Sequence, residues 1–283
     1  MAALKRGIAM PCFADDPSVL IDLCVAAEAA GFDGVFLWDH MTWSDAGDGP
    51  PMVDPWLVLA VVAARTERVL LGPMITPPSR RRPWVLARET TTLDVLSSGR
   101  TIFGVGLGGP DHGDFGLFGE VTDRRTRAAM LDESLTILDG LWSGEWFTHH
   151  GAQYGLGPVR FTPTPVQRPR IPIWVGGVLP NPAPIRRAAR WDGAVPITYD
   201  EGGLARPSVE QITALTAEIA GQRESMDGYD VAVWAEVALD PAAVERELAA
   251  YAEAGATWWI ETARPARDAN WLDGLRTRIS QGC

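Results

Sequence analysis

A histidine beside an aspartate and between two tryptophans is the strongest chemical feature of the chain. Asp39 and His40 lie between Trp38 and Trp43, directly after a short apolar segment. An imidazole exchanges protons near neutral pH, so His40 is a candidate general acid or base. Asp39 is a candidate either to orient the imidazole or to bind the polar edge of a cofactor. The alternative is structural: His40 fixes a loop and Asp39 caps the next turn.

A glycine-rich segment follows another apolar stretch. Gly104, Gly106 and Gly109 match the GxGxxG spacing of dinucleotide-binding loops. That fingerprint requires a helix to open at once, whereas the chain continues as Gly-Pro-Asp-His-Gly, which is typical of a loop. The nicotinamide interpretation therefore fails. Gly106, Leu107 and Gly108 can still bring the backbone close to a ligand.

Three further groups are candidates for contacts with a ligand. Gly176 and Gly177 precede Asn181, where a helix can begin and offer free N–H groups to a phosphate; the alternative is two tight turns. The arginine run 80–82 either attracts an anionic ligand or is a solvated surface. Glu261 ends the last apolar segment and is a candidate to bind a neighbouring loop or the ligand.

The other histidines predict no metal centre. His149 and His150 fall in an excursion where we expect solvated side chains, and His112 is equally consistent with a functional and a structural role. The HxH, HExxH and CxxC patterns of metal sites are missing. A metal-dependent hydrolase is therefore a competing class that metal analysis would test.

Short, almost continuously apolar segments recur between the polar ones. They comprise residues 7–10, 34–38, 69–75, 101–105, 171–175, 193–197, 231–237 and 257–260. Such runs are typical of parallel strands buried on both faces. Between them, helices are predicted to start at aspartate–proline pairs at Asp16, Asp54 and Asp240, and at a capping box formed by Ser208 and Gln211.

Eight strands, each followed by a helix, predict an α/β fold of the (β/α)₈ or TIM-barrel class, which takes about 250 residues. We expect one domain over residues 1–283. The surplus length falls in a loop at 108–122 and in a hairpin or excursion at 149–169. A doubly wound open sheet is the alternative. Functional groups of such barrels lie at the carboxyl ends of the strands, which is where His40 falls.

The charge balance disfavours several partners. The 283 residues contain 25 Lys and Arg against 36 Asp and Glu, a net charge of -11, so neither nucleic acid nor an anionic membrane is expected. The first residues lack the apolar core of a signal peptide, and no apolar run reaches membrane-spanning length. The three cysteines form no CxxC, which predicts a reduced, cytoplasmic protein.

Motifs spread over nearly the whole chain carry a family resemblance. They are AGFDG leading to DH (30–40), DPW (54–56), TERVLLG (66–72), ARET (87–90), LDVLSSGR (93–100), GVGLG (104–108), RIPIWVGG (170–177) and AARWDG (188–193). Together they resemble the luciferase-like flavin- or deazaflavin-dependent oxidoreductases.

The resemblance implies a barrel that holds coenzyme F420 or FMN over its C-terminal mouth. The chemistry it implies is hydride transfer or O₂ activation on a small organic substrate. His40 and Trp43 match catalytic positions. The implied cofactor-binding set is Asp39, Met74, Ile75, Gly106, Leu107, Gly108, Gly176 and Gly177. The family also implies a non-prolyl cis peptide near Met74–Ile75, and a homodimer.

The chain departs from the family pattern at two places. Pro73 stands where many members have a small polar residue, and Gly109–Pro110 leaves no acid where sugar-phosphate dehydrogenases of the family carry glutamate. The second departure disfavours a sugar-phosphate substrate. F420 is slightly favoured over FMN, because an arginine-rich, lysine-poor chain is typical of a GC-rich source.

The last two predictions concern three tryptophans near the cofactor and an alternative, non-catalytic function. Trp38, Trp43 and Trp174 are expected around the flat ring of the cofactor. The alternative function is a non-catalytic flavin-binding protein of the same fold, which would have no need of His40.

Overall fold

Strands and helices alternate along the chain. The computed structural model describes residues 3–201, 203–236, 241–263 and 270–283. Its strands are β1 (Lys5–Met10), β2 (Gly34–Leu37), β3 (Leu70–Pro73), β4 (Phe103–Val105), β5 (Phe147–His150), β6 (Gly155–Val159), β7 (Ile173–Val178), β8 (Gly193–Asp200), β9 (Gly203–Ala205), β10 (Asp230–Glu236) and β11 (Trp258–Thr262). Its helices are α1 (Pro17–Ala29), α2 (Pro55–Arg65), α3 (Pro83–Leu96), α4 (Arg124–Trp142), α5 (Pro182–Ala188), α6 (Val209–Ala220), α7 (Pro241–Glu253) and α8 (Trp271–Ser280).

The main sheet is parallel and closes on itself. Its strands follow the order β3-β2-β1-β11-β10-β8-β7-β4. The two outer strands meet through isolated bridges that pair Leu71 with Thr101 and Thr76 with Val105. Each of the eight strands leads into a helix, so the predicted (β/α)₈ barrel is confirmed and the open sheet is excluded.

Local capping explains where several helices begin. The carboxylates of Asp16 and Asp54 accept hydrogen bonds from the first-turn N–H groups of α1 and α2, each ahead of a proline. Ser208 and Gln211 form the predicted capping box of α6. The fourth predicted cap, Asp240, lies outside the described residues.

The insertions lie at opposite ends of the barrel. Strands β5 and β6 form an antiparallel hairpin, as predicted, which follows a helix and therefore belongs to the amino-terminal end. The loop at 106–122 follows β4 and lies at the carboxyl-terminal end, hereafter the mouth. The short strand β9 pairs antiparallel with β8. In the described part of the chain, no helix is long and apolar enough to span a membrane.

Side chains fill the interior of the barrel. This inner cluster consists of Ala9, Phe36, Met74, Ile102, Trp174, Val195, Ala232, Trp258 and Ile260. Trp174 is fully buried, with ring centroids 5.7 Å from Phe36 and 5.3 Å from Trp258. It precedes Val175 and pairs in register with Gly193, where β8 begins, so it lies in the lower barrel. The expectation that Trp174 surrounds a ring at the mouth is therefore wrong.

Candidate active site at the barrel mouth

His40 is held by an aspartate from another loop. Its Nδ1 lies 2.7 Å from Oδ2 of Asp114, whose side chain is fully buried. Because a carboxylate only accepts, Nδ1 carries the proton and Nε2 remains the ring atom that can exchange one. The other oxygen, Oδ1, accepts the N–H groups of Met41 (2.9 Å) and Thr42 (3.0 Å). Asp114 thus fixes both the ring and the loop that carries it.

Asp39 is occupied by four other side chains. Its carboxylate accepts hydrogen bonds from Arg80 (2.8 Å), Arg81 (3.1 Å), the Thr76 hydroxyl (2.7 Å) and the Trp56 indole (3.3 Å). Burial alone would raise the pKa of Asp39, but the two arginines and the Thr76 hydroxyl outweigh it and hold the pKa below its usual value. Asp39 therefore remains an anion that joins the end of β2 to the loop after β3.

Arg80 connects the two carboxylates. Its Nη1 lies 3.4 Å from Oδ2 of Asp114, and its side chain is only 5% exposed. Arg81 also turns inward, whereas Arg82 is exposed at the start of α3. In the run 80–82, the two inward arginines are therefore already paired with carboxylates. They are neither fully solvated nor free to bind an anionic ligand. We call His40, Asp114, Arg80, Asp39 and Arg81 the mouth cluster. Within it Asp114, rather than Asp39, orients the imidazole.

The end of β3 provides a flat floor. The Met74–Ile75 peptide is cis, as the family resemblance implies. The Ile75 side chain lies where a Cβ on Gly106 would overlap it and where a Cβ on Gly176 would come within 2.9 Å of its Cδ1. Because both positions are glycine, the Ile75 side chain can pack directly against their backbone atoms. Met74 points into the barrel, and its sulfur accepts a hydrogen bond from the Trp234 indole (3.0 Å).

The glycine-rich loop turns sharply beside this floor. Gly108 has a φ of +70°, and a Cβ there would lie 2.8 Å from Pro77. The carbonyl of Leu107 accepts a hydrogen bond from Arg127 (3.0 Å). The loop therefore keeps its shape through backbone conformation and one buried arginine.

Gly177 serves the packing of a helix. A Cβ on Gly177 would overlap Pro184 of α5, so this glycine faces outward, away from Gly176. Asn181 is the N-cap of α5, as predicted. Of the first three helical residues, only Ala183 has an N–H group, since Pro182 and Pro184 have none. This helix end is a poorer anion site than expected.

Three tryptophan rings line the mouth. Trp38 stacks on Trp43 (5.5 Å between centroids) and on Trp234 (5.8 Å), and the His40 ring meets Trp43 edge-on at 4.9 Å. The Trp38 indole nitrogen is buried and has no hydrogen-bond partner among the described residues. A buried N–H group without a partner can donate a hydrogen bond to a ligand. The floor at Ile75 and this free donor suit a flat, polar-edged ring such as a flavin or deazaflavin.

The remaining histidines lie elsewhere. His112 and His150 are exposed. His149 was expected to be solvated, which is wrong: its ring nitrogen Nε2 lies 3.2 Å from the Glu133 carboxylate, and its side chain is 15% exposed. In residues 3–201, 203–236, 241–263 and 270–283, no cluster of His, Cys, Asp and Glu is arranged to hold a metal ion.

Glu261 faces away from the mouth. It is fully buried and accepts hydrogen bonds from Arg6 (2.7 Å) and from Nε (2.7 Å) and Nη2 (2.8 Å) of Arg278. These residues belong to β11, β1 and α8, so the contact ties the last helix to the barrel wall. We call Arg6, Glu261 and Arg278 the shell cluster. The expectation that Glu261 binds a loop or a ligand is wrong.

Sequence comparison agrees with this geometry. The family model of the luciferase-like monooxygenases matches residues 5–281, so the chain belongs to that family. It is 38% identical over 177 residues to an F420-dependent glucose-6-phosphate dehydrogenase of Microbacterium testaceum, covering 62% of this chain and 50% of the relative. It is 36% identical over 227 residues to an enzyme of the same name from Nakamurella multipartita, covering 79% of this chain and 64% of the relative.

The chain thus spans one half to two thirds of the length of these curated relatives. Among solved structures, an F420-dependent secondary alcohol dehydrogenase in complex with an F420-acetone adduct has a TM-score of 0.77 over 98% of both chains, at 17% identity. That likeness supports the fold.

Proposed function

We propose that the protein is an F420-dependent oxidoreductase that exchanges a hydride with a small organic substrate at the barrel mouth. The observation that carries the proposal is His40, whose Nδ1 is bound at 2.7 Å by the buried Asp114 beside the flat floor at Ile75. The curated relatives, named as F420-dependent, support this coenzyme over FMN.

The chain's own residues divide the task of holding the coenzyme. We assign one face of the ring to Ile75, supported by Gly106 and Gly176, and a polar edge to the Trp38 indole N–H. The backbone of Leu107 and Gly108 would border the ring. Three predicted contact residues support this arrangement from behind: Asp39, Met74 and Gly177.

The bound coenzyme supplies a carbon that accepts or returns a hydride. His40 holds or releases a proton at Nε2 as the substrate oxygen changes between hydroxyl and carbonyl. Asp114 keeps the imidazole in the required tautomer and orientation. Trp43 meets the ring of His40 edge-on and shields it from water.

Reconstitution with each cofactor tests the proposal. We expect the protein to bind F420 more tightly than FMN in a fluorescence titration, and to reduce or oxidise it with substrate. His40→Ala should lower kcat about 10²- to 10⁴-fold, whereas His150→Ala, at an exposed histidine, should leave it unchanged. Binding of neither cofactor refutes the proposal. Binding without turnover of any donor, or full activity of His40→Ala, favours the non-catalytic flavin-binding alternative.

We also propose that residues 1–283 act as one domain, in a cytoplasmic homodimer. The three cysteines are unpaired, as in reducing compartments. Large apolar side chains are exposed on neighbouring helices, Leu57 and Val61 on α2 and Val85 on α3. Light scattering during size-exclusion chromatography would measure the molar mass of the protein in solution. A monomer at micromolar concentration would refute the proposed dimer.

A further inference from the structure

Arg127, one turn into α4, has a fully buried side chain, which is unusual for an arginine. Its guanidinium contacts three residues of the loop that follows β4. Nη1 donates to the Leu107 carbonyl (3.0 Å), Nη2 pairs with the Asp111 carboxylate, and the group lies 3.9 Å from the centroid of the Phe115 ring. A buried charge is costly unless its partners hold it, so the arginine and the loop fix one another.

These contacts reach both ends of the loop segment, and each end has its own task in the proposed site. The first end, Leu107 and Gly108, is assigned to the coenzyme ring. The second end is Phe115, which follows Asp114, whose carboxylate fixes the His40 ring at 2.7 Å. The two ends also touch each other, because a Cβ on Gly108 would lie 3.0 Å from Cζ of the buried Phe115 ring.

The Phe115 ring connects the arginine of α4 to the mouth cluster. The guanidinium of Arg80 lies 5.7 Å from the centroid of this ring. Arg80 in turn contacts the carboxylates of Asp39 and Asp114. A planar guanidinium can stack on an aromatic ring and donate hydrogen bonds from its edge at the same time, which the ammonium of a lysine cannot do.

We propose, resting on the oxidoreductase function above, that Arg127 is a positioning residue for the reaction. By holding both ends of the loop after β4, it fixes the separation between the proton-exchanging His40 and the coenzyme ring. It acts through Asp114 at one end and through Leu107 and Gly108 at the other. Hydride and proton steps on one substrate require both groups to be placed within a fraction of an ångström, so this separation controls the rate.

The first test needs no coenzyme. At about pH 8 an ordinary imidazole is neutral, and a long-range ¹H–¹⁵N spectrum of ¹⁵N-histidine-labelled protein reports which ring nitrogen carries the proton. His40→Ala identifies the His40 signals by their loss. The parent protein should show His40 protonated at Nδ1, as its bond to Asp114 requires. Arg127→Met should show a mixture of both tautomers.

Binding of F420 gives the second test. In a fluorescence titration, the Kd of Arg127→Met for F420 should rise about tenfold, as expected when the binding-competent loop conformation falls to about a tenth of the population. With saturating F420 and a donor that the parent protein oxidises, kcat should fall about 100-fold, because the two reacting groups are misplaced.

Arg124→Met is the matched control. Arg124 lies three residues earlier on α4, is 68% exposed and donates to the same Asp111 carboxylate at 2.7 Å. Its loss should leave the His40 spectrum and the Kd for F420 unchanged. Arg127→Lys keeps the buried charge but cannot both donate to Leu107 and lie flat on Phe115. It should therefore show the same two changes, and it replaces Arg127→Met if that variant does not fold.

A folded Arg127 variant with the parent's His40 spectrum or the parent's Kd would make this arginine a purely structural residue and overturn the proposal. Equal changes in Arg124→Met would overturn it as well, since any loss of charge beside Asp111 would then be sufficient. If the parent protein does not bind F420, the oxidoreductase function itself fails. The His40 spectra would still decide whether Arg127 positions the imidazole.

Discussion

Two buried carboxylates of this barrel are each held by a pair of arginines, in different surroundings. Glu261 accepts hydrogen bonds from Arg6 and Arg278 between the barrel wall and α8. Asp39 accepts them from Arg80 and Arg81 at the mouth. From the shell cluster, Arg6 also contacts the exposed carboxylate of Glu245 at 3.4 Å. The mouth cluster continues through Arg80 to Asp114, and from there to His40.

The difference shows that burial and ion pairing do not by themselves mark a functional site. Both clusters satisfy their charges, because an unpaired charge in either place would be costly. Only the mouth cluster reaches a group whose second nitrogen is left to exchange a proton. The same ion-pair chemistry therefore supports stability in one region and positions a proton carrier in the other.

The largest effect should come from breaking the shell cluster. Glu261→Ala removes the buried counter-charge that Arg6 and Arg278 share and leaves Arg6 with the exposed Glu245 carboxylate, so the free energy of unfolding should fall by about 3–5 kcal/mol. Urea unfolding measures it. The folded variant should keep its kcat. Glu245→Ala removes an exposed carboxylate 3.4 Å from Arg6 and should cost less than about 1 kcal/mol. A loss of kcat without a loss of stability would show that Glu261 belongs to the site.

An intermediate effect is expected within the mouth cluster. Asp114→Asn keeps an acceptor for the N–H groups of Met41 and Thr42 but removes the charge beside His40. We expect kcat to fall about 10- to 100-fold, the range for losing a charged hydrogen bond. A kcat equal to that of the parent protein would reduce Asp114 to a structural role.

The smallest effect is expected on the free energy of unfolding, and only at acidic pH. The pKa of Asp39 is lowered in the fold, since Arg80 and Arg81 outweigh its burial. Such a group contributes stability above its unfolded pKa and loses it as the pH falls through the folded value. The free energy of unfolding should therefore decline below about pH 4, less steeply in Asp39→Asn. Arg82→Ala, at an exposed arginine, should keep the parent slope; equal slopes in all three proteins would contradict the shift.

The order of elements was predictable from the sequence because its causes are local. Strands buried on both faces need near-continuous apolar runs, and the cap at Asp16 and the capping box at Ser208 lie within a few residues of the bonds they make. Strand ends were less predictable. The apolar run predicts that β3 reaches residue 75, whereas the strand ends at Pro73, where its regular register with β2 stops.

The site was predictable only in part, because its key contacts are between distant residues. His40 and the glycines announce themselves by type and by position after a strand. Asp114 bonds a residue 74 positions away, and Trp234 reaches across the barrel to Trp38. The one signal for Asp114 is an acid beside Phe115 in a glycine-rich loop that follows a strand. The prediction of a solvated His149 is wrong for the same reason, since its partner Glu133 lies on α4.

The stacked indoles give the mouth an optical signature. Trp43, Trp38 and Trp234 are separated by 5.5 and 5.8 Å, with interplanar angles of 30° and 11°. At such separations the electronic transitions of neighbouring rings couple, so near-ultraviolet circular dichroism should contain a contribution that belongs to this trio. That contribution follows the assembly of the mouth even when no reaction takes place, and it separates a misfolded site from an intact but inactive one.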